Sequence, residues 1–328
     1  MIPYIHIPDL PSPPFGPYNV AGREIGPFAL HPFGLLVATG VIIGTYLATN
    51  RARRLGLDLD KLNSFITWML LCGFVGGHVL DEIFYHPDEI ARRWWSLLML
   101  HEGLSSFGGF TGALIGVVLW KYFEKLPDGP FRRRPKAQSI LPFCDVILAV
   151  FPVAWIFGRS GCSSVHDHPG ALLRSVHDPL HGLLAVDYPA RGEFVAPDKF
   201  ALFHGSAPRF DLGLLELLFT IVLAGLIALT WRKKLPTGTY VAVTSLAYAP
   251  VRFAMDYLRV PEGDRDFPGS ADLRYAGLTP AQWECLALFL FGLAMAFYVR
   301  SLKKRGIEPM NDVLAPPSVD THDPALAA

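Results

Sequence analysis

Charged side chains inside long apolar stretches are the residues of this 328-residue chain that can do chemistry. An ionisable group in hydrocarbon is expensive, so each one retained there marks a site or a compensating pair. Arg252 and Asp256 are four apart, hence on one helical face, where an ion pair lowers the cost of burying either charge. Arg159 stands in another apolar stretch with no acidic residue at helical spacing. Two guanidiniums on separate helices suit a bidentate grip on a phosphate, because the planar arginine fork matches phosphate oxygens. His78, Asp81 and Glu82 form a third charged group, Glu216 stands alone, and Asp145 reads as structural.

The segment 161–211 is too long for a simple connection and carries His166, Asp167, His168, His177, His181 and His204. Such long loops are functional or disordered. Two histidines and an aspartate in succession resemble part of a metal-ligand set, but no four-ligand spacing is complete. The preferred reading is a hydrogen-bonded cap over the site, with neither metal nor cofactor implied. Cys162 lies beside Arg159, which can lower a thiol pKa and create a covalent nucleophile. Cys72, Cys144 and Cys285 read as small packing residues, and no disulfide framework is expected.

The elements that must position these residues are set by four basic clusters: Arg51-Arg53-Arg54, Arg132-Arg133-Arg134 with Lys136, Arg232-Lys233-Lys234, and Arg300 with Lys303-Lys304-Arg305. Between them lie apolar segments at 31–50, 62–84, 104–123, 140–158, 212–231, 238–258 and 281–299, each near the roughly 20 residues that span a bilayer. Every cluster falls in an alternate loop. By the excess of Lys and Arg on the cytoplasmic side, the fold is an all-α polytopic membrane protein of seven helices, amino terminus outside and carboxyl terminus inside. A 51% hydrophobic share, 18% charged residues and a mean hydropathy of +0.32 exceed what a soluble domain carries, and the balanced charge gives no support to a nucleic-acid partner.

Residues 1–27 read as an extracytoplasmic arm, 28–305 as the seven-helix domain with extracytoplasmic loop 161–211, and 306–328 as a disordered cytoplasmic tail. Gly40 and Gly44, and Gly108, Gly112 and Gly116, repeat at the four-residue spacing that lets helix backbones approach in lipid. The stretch 92–100, with Trp94 and Trp95, is expected to be a short interfacial helix. On this topology Arg159, Arg252, Asp256, Glu216 and the His78 group share the outer half of the membrane. The implied substrate is a phospholipid headgroup held at its glycerol phosphate.

A specific resemblance then appears. Gly158-Arg159-Ser160-Gly161-Cys162, followed by Gly170, resembles the Gly-Arg-x-Gly-Asn signature and downstream glycine of the bacterial prolipoprotein diacylglyceryl transferases. Gly103-Leu104-Ser105-Ser106-Phe107-Gly108-Gly109 is similar to that family's Gly-Leu-Ser-x-His-Gly-Gly element. Arg252-Phe253 through Pro261 is similar to its Arg-Phe-x-x-Glu-x-x-Arg-x-Pro segment, and Leu278-Thr279 through Gln282 to its Leu-Thr-x-x-Gln. The resemblance implies transfer of a diacylglyceryl group from phosphatidylglycerol to the lipobox cysteine of a prolipoprotein signal peptide, in the bacterial plasma (inner) membrane.

By position, it implies that Arg159 and Arg252 stabilise the departing phosphate and that Asp256, Asp167 and Gly170 stand where the family has glutamate, glutamate and glycine; Asp256, Asp167 and His78 are expected to join the arginines in catalysis, and Gly170, Ser105, Ser106, Gly108, Gly109, Cys162 and His168 to line the substrate. The family's histidine before the double glycine is Phe107 here, its early-helix tyrosine is Phe33, its asparagine is Cys162, and a second-helix arginine is His78. For Cys162, hydrogen bonding or space filling is therefore favoured over covalent catalysis. Phenylalanine neither accepts a proton nor hydrogen-bonds, which leaves three options. His78 first, or His168, replaces the base; the base is dispensable; or the chain is a non-catalytic lipid-binding paralogue. A metal-dependent lipid hydrolase is a further, weaker alternative.

Overall fold

The structure, a computed structural model, describes residues 2–8, 18–20, 23–25, 31–98, 103–125, 129, 131–173, 184–190, 200–267, 271–307 and 313–315. The chain divides into two compact units. One comprises Met1–Tyr46, Ile147–Leu235 and Thr239–Phe297; the other comprises Leu47–Val146, Pro236–Gly238 and Tyr298–Ala328.

The helices are α1 Pro32–Arg54, α2 Leu59–Tyr85, α3 Pro87–Arg92, α4 Ser106–Tyr122, α5 Leu141–Val165, α6 Leu212–Ala228, α7 Thr239–Met255 and α8 Pro280–Arg305. All but α3 fall on the expected apolar segments. A 3-10 segment, Trp94–Leu98, follows α3 where the short interfacial helix is expected, with both indoles exposed. Helices α1, α2, α5 and α8 are long and apolar enough to cross a membrane, and α6 is a shorter apolar helix. Local chemistry fixes several starts. Asp58 accepts from the amides of Asp60 and Lys61 to cap α2, Ser105 accepts from Gly108 to cap α4, and Asp211 accepts from Leu214 to cap α6.

In the second unit, α2 and α4 pack backbone to backbone through small residues. A β-carbon on Gly112 would lie 2.3 Å from the Cys72 carbonyl oxygen, and one on Gly116 2.5 Å from that of Trp68. The glycine spacing is thus explained by close helix approach. At one end of this pair Phe65, Trp120 and Phe143 pack edge-on and tilted, fully buried. In the first unit Gly40 meets the carbonyl oxygen of Ala154, where a β-carbon would lie at 2.7 Å. Ala149, Leu223, Ile227 and Tyr240 form a core from α5, α6 and α7.

The chain is mostly helical but not all-α. Strands β1 Ile2–His6, β2 Tyr18–Val20, β3 Arg23–Ile25, β4 Phe123–Lys125, β5 Phe131–Arg133, β6 Pro169–Leu172, β7 Ala185–Tyr188, β8 Ala201–Phe203 and β9 Ala207–Asp211 are present. Five of them make one sheet in the order β6-β9-β7-β1-β8, while β2-β3 and β4-β5 are separate antiparallel pairs. In the sheet β1 runs parallel to β7, with Ile2 opposite Val186, and antiparallel to β8, with Ile5 opposite Leu202. Within the amino-terminal arm, β1 is built into a sheet with strands of the 161–211 loop. Strands of three to five residues carry too few alternations to be read as period two, and β1 has no local partner to announce it.

Two boundaries also move. Helix α5 runs on to Val165, so Arg159 and Cys162 lie on its closing turns and the connecting loop begins at His166. Helix α7 stops at Met255, and Asp256 opens a 3-10 turn, Asp256–Leu258. Of the expected disordered tail, Val313 is fully buried and its carbonyl accepts from the Asp58 amide, while Leu314 bridges to Leu57; residues 308–312 and 316–328 lie outside the described residues.

Candidate active site

In the first unit, acidic and basic side chains alternate along one line of contacts. Arg159 Nε lies 3.0 Å from Glu216 Oε1, and Arg252 Nε lies 3.6 Å from Glu216 Oε2. Arg252 Nη1 lies 2.6 Å from Asp256 Oδ1, which is also 2.7 Å from Arg259 Nε; Arg259 Nη1 in turn lies 2.7 Å from Asp272 Oδ2. Three guanidiniums and three carboxylates cancel in formal charge. Arg159, Glu216, Arg252 and Asp256 are at most 7% exposed, and charges so buried persist only when paired and hydrogen-bonded.

Helix positions explain the convergence. Arg159 sits near the end of α5, Glu216 one turn into α6, and Arg252 in the last turn of α7. Glu216 also receives the indole N–H of Trp155 at 2.9 Å and the Tyr248 hydroxyl. The Arg159 guanidinium lies 4.6 Å from the centre of the Trp155 ring, a cation–π contact that orients the fork. Asp256 also accepts from the Thr279 hydroxyl, and Thr279 and Gln282 form a reciprocal cap at the start of α8. The sequence pattern Thr-x-x-Gln thus serves both a helix start and Asp256.

A second network fastens the sheet. Arg209 on β9, 1% exposed, donates to the Gly170 carbonyl at 3.1 Å, to both Asp264 oxygens at 2.9 and 2.8 Å, and to Asp266 at 2.7 Å. These hydrogen bonds hold the Asp264 carboxyl below the usual carboxylate range. Gly170 bridges to Arg259, and a β-carbon there would lie 2.6 Å from the Leu258 carbonyl oxygen and 2.7 Å from that of Phe210, so only glycine fits.

The histidine loop divides into two roles. His166 places Nδ1 2.5 Å from Asp211 and Nε2 3.1 Å from the Ile5 carbonyl oxygen, with Tyr4 stacked on its ring at 4.0 Å. Tyr188 donates to the same Asp211 carboxylate at 3.0 Å, and burial beside that carboxylate pushes its phenol up. His166 therefore pins strand β1 to the start of α6. His168 instead bonds through Nδ1 to Asp167. Cys162, Asp167 and His168 bring one thiol, one carboxylate and one imidazole atom within 4.8 Å of one another, and Arg159 Nη1 lies 3.5 Å from Cys162 Sγ. The trio has the donor types of a metal site, but the adjacent guanidinium opposes a cation there. His177 and His181 lie outside the described residues.

In the second unit His78 is fully buried, with Nε2 2.9 Å from the Ser96 carbonyl oxygen and Nδ1 3.2 Å from that of Gly103. Glu82 accepts from the Ser96 hydroxyl at 2.6 Å. This cluster seats the 3-10 segment against α2. Ser105 caps α4 and donates to the Gly77 carbonyl at 3.4 Å, Ser106 opens that helix half-buried, and Gly108 abuts the carbonyl oxygens of Gly76 and Gly77. Gly109 is half-buried next to it. Phe107 packs edge-on against Phe84 and Tyr85.

Sequence reasoning brought Arg159, Arg252 and Asp256 forward, carried Arg259 and Thr279 only inside motifs, and missed Glu216 as the hub of the two arginines, together with Trp155 and Tyr248. The available signal was Glu216 itself: a carboxylate opening an apolar helix with no basic residue at helical spacing needs a cation from elsewhere.

The family model described as prolipoprotein diacylglyceryl transferase matches residues 21–298. A phosphatidylglycerol–prolipoprotein diacylglyceryl transferase of Staphylococcus carnosus (strain TM300) is 26% identical over 279 residues, covering 84% of this chain and 89% of its own. Proteins with the same name from Azoarcus sp. (strain BH72) and Klebsiella pneumoniae (strain 342) are 25% and 27% identical, covering 90% and 81% of this chain and 100% and 86% of their own.

Proposed function

Because the chain belongs to the prolipoprotein diacylglyceryl transferase family, we propose that it transfers the diacylglyceryl group of phosphatidylglycerol to the lipobox cysteine of a prolipoprotein. In that reaction the cysteine sulfur attacks the glycerol carbon that bears the phosphate. A C–S bond forms, the C–O bond breaks, and its electron pair leaves on the phosphate oxygen as glycerol phosphate. The rate depends on stabilising that developing charge. The observation that carries this reading is the buried line Arg159–Glu216–Arg252–Asp256: two guanidiniums from different helices, held by carboxylates rather than left to solvent.

Arg159 and Arg252 supply the phosphate contacts, Glu216 and Asp256 hold their planes, and Gly170 lets the sheet close on the segment that follows Asp256. Asp167 belongs to the same region through Cys162. Ser105, Ser106, Gly108 and Gly109 have packing and capping contacts that account for them without substrate, and His78, with both ring nitrogens at carbonyl oxygens, is a structural clamp. We place the chain as a multi-pass protein of the bacterial plasma membrane with seven spans, α1, α2, α4, α5, α6, α7 and α8, amino terminus outside. The alternate distribution of basic clusters supports that orientation.

A second reading, a non-catalytic lipid-binding paralogue, is favoured by one observation, the Phe107 ring packed among aromatics where the family element carries histidine. Expression in a strain depleted of its own diacylglyceryl transferase separates the two. Restored growth with thioether-modified lipoprotein supports transfer; phosphatidylglycerol binding without product supports the paralogue.

A further inference from the structure

Resting on the transferase reading, one task remains without a residue: a lipobox thiol of ordinary pKa, about 8.5, must lose its proton before it attacks. In the unit that holds the arginines, His166 is committed at both ring nitrogens, to Asp211 and to the Ile5 carbonyl. His168 is arranged differently. Its Nδ1 faces the Asp167 carboxylate, which fixes the proton on that nitrogen and leaves the lone pair on Nε2. Its side chain is 28% exposed, in contrast to the buried guanidiniums.

The pair is also held in place. The His168 carbonyl accepts from the Leu212 amide at 3.1 Å, at the first residue of α6, two residues beyond the His166 clasp. Asp167 lies within 4.8 Å of Cys162, whose sulfur is 3.5 Å from Arg159 Nη1. A carboxylate-oriented imidazole therefore stands one side chain away from the proposed phosphate grip. We propose that His168 is the base that deprotonates the incoming lipobox thiol, with Asp167 as its positioning residue. His168 Nε2 takes the thiol proton, and the sulfur lone pair forms the C–S bond. The C–O bond electrons leave on the phosphate oxygen held by the arginines, and the imidazolium returns its proton to solvent. Asp167 fixes the tautomer and stabilises the imidazolium as it forms.

The test uses the full chain in phosphatidylglycerol nanodiscs with a lipobox peptide, following thioether product by mass spectrometry between about pH 6 and pH 9, a range that includes the thiol value. His168→Ala and His168→Gln are expected to lose about 10²- to 10⁴-fold at neutral pH. Their rates should climb steadily toward the thiol's own pKa where the parent levels off, and added imidazole should restore part of the His168→Ala rate. Asp167→Asn should give a smaller loss. Either histidine variant present at parental level, active at the parental rate and with the parental pH profile, overturns the assignment while leaving transferase activity intact. A parent chain that forms no thioether at any pH overturns both.

Discussion

Arg159 and Glu216 illustrate how single residues carry this site. Arg159→Lys keeps the charge but gives up the planar fork that reaches Glu216, Cys162 and the face of Trp155. Thioether formation is therefore expected to fall by about 10²-fold or more, as when one preorganised charge-stabilising donor is lost; an initial-rate measurement on lipobox peptide checks it. Glu216→Gln is nearly isosteric and leaves Arg159 and Arg252 buried with one counter-charge removed. Its cost should be about 3–5 kcal/mol, read as a lower melting temperature in detergent. Arg252 with Asp256 was legible in the sequence because the two are four residues apart in one apolar segment. Arg159 with Glu216 was not, since its partner is on another helix 57 residues on, and no local pattern encodes the packing of α5 against α6.

Glycine sets the approach of α2 and α4, and the consequence can be measured. Gly112→Leu puts a β-carbon within 2.3 Å of backbone that cannot move aside, so the helices must separate; a loss of about 1–3 kcal/mol or more is expected. Gly225→Ala, on α6 with nothing within 4 Å of its added β-carbon, should raise stability by about 0.5–1 kcal/mol. Parallel melting curves of the two variants test the contrast. The sheet makes a different prediction. Asp264 has its folded pKa lowered by Arg209, so its contribution is full above the unfolded value of about 3.9 and is lost as pH falls through the lower folded value. Protease resistance of the β9 and 261–267 segments should drop on acidification through that range, and Arg209→Met should remove this acid dependence. The helices themselves were plain from hydropathy. The sheet was hidden because β6 to β9 are short and stand in a loop rich in Pro, Gly and His.

The basic clusters make a prediction for the whole molecule. Reporters fused after Lys136 or Lys304 should read cytoplasmic, and one inserted at Pro197 extracytoplasmic; cytoplasmic labelling at Pro197 would overturn the seven-span topology. That expectation rests on charge bias, which acts along the entire chain and needs no tertiary contact, whereas the site depends on which helices finally touch. Strand β1 adds a matter of timing. Residues 2–6 are synthesised before α1, yet their hydrogen-bond partners are Val186, Asp187 and 201–203. Through the making of α1, α2, α4 and α5 this edge has nothing to pair with, and closing so long a loop is entropically slow. Assembly of the sheet is thus an event of late biogenesis. A ribosome stalled before residue 185 would leave a membrane-inserted chain whose first strand is unpaired and whose Arg159 still awaits Glu216, a state open to a protease that the finished protein would resist.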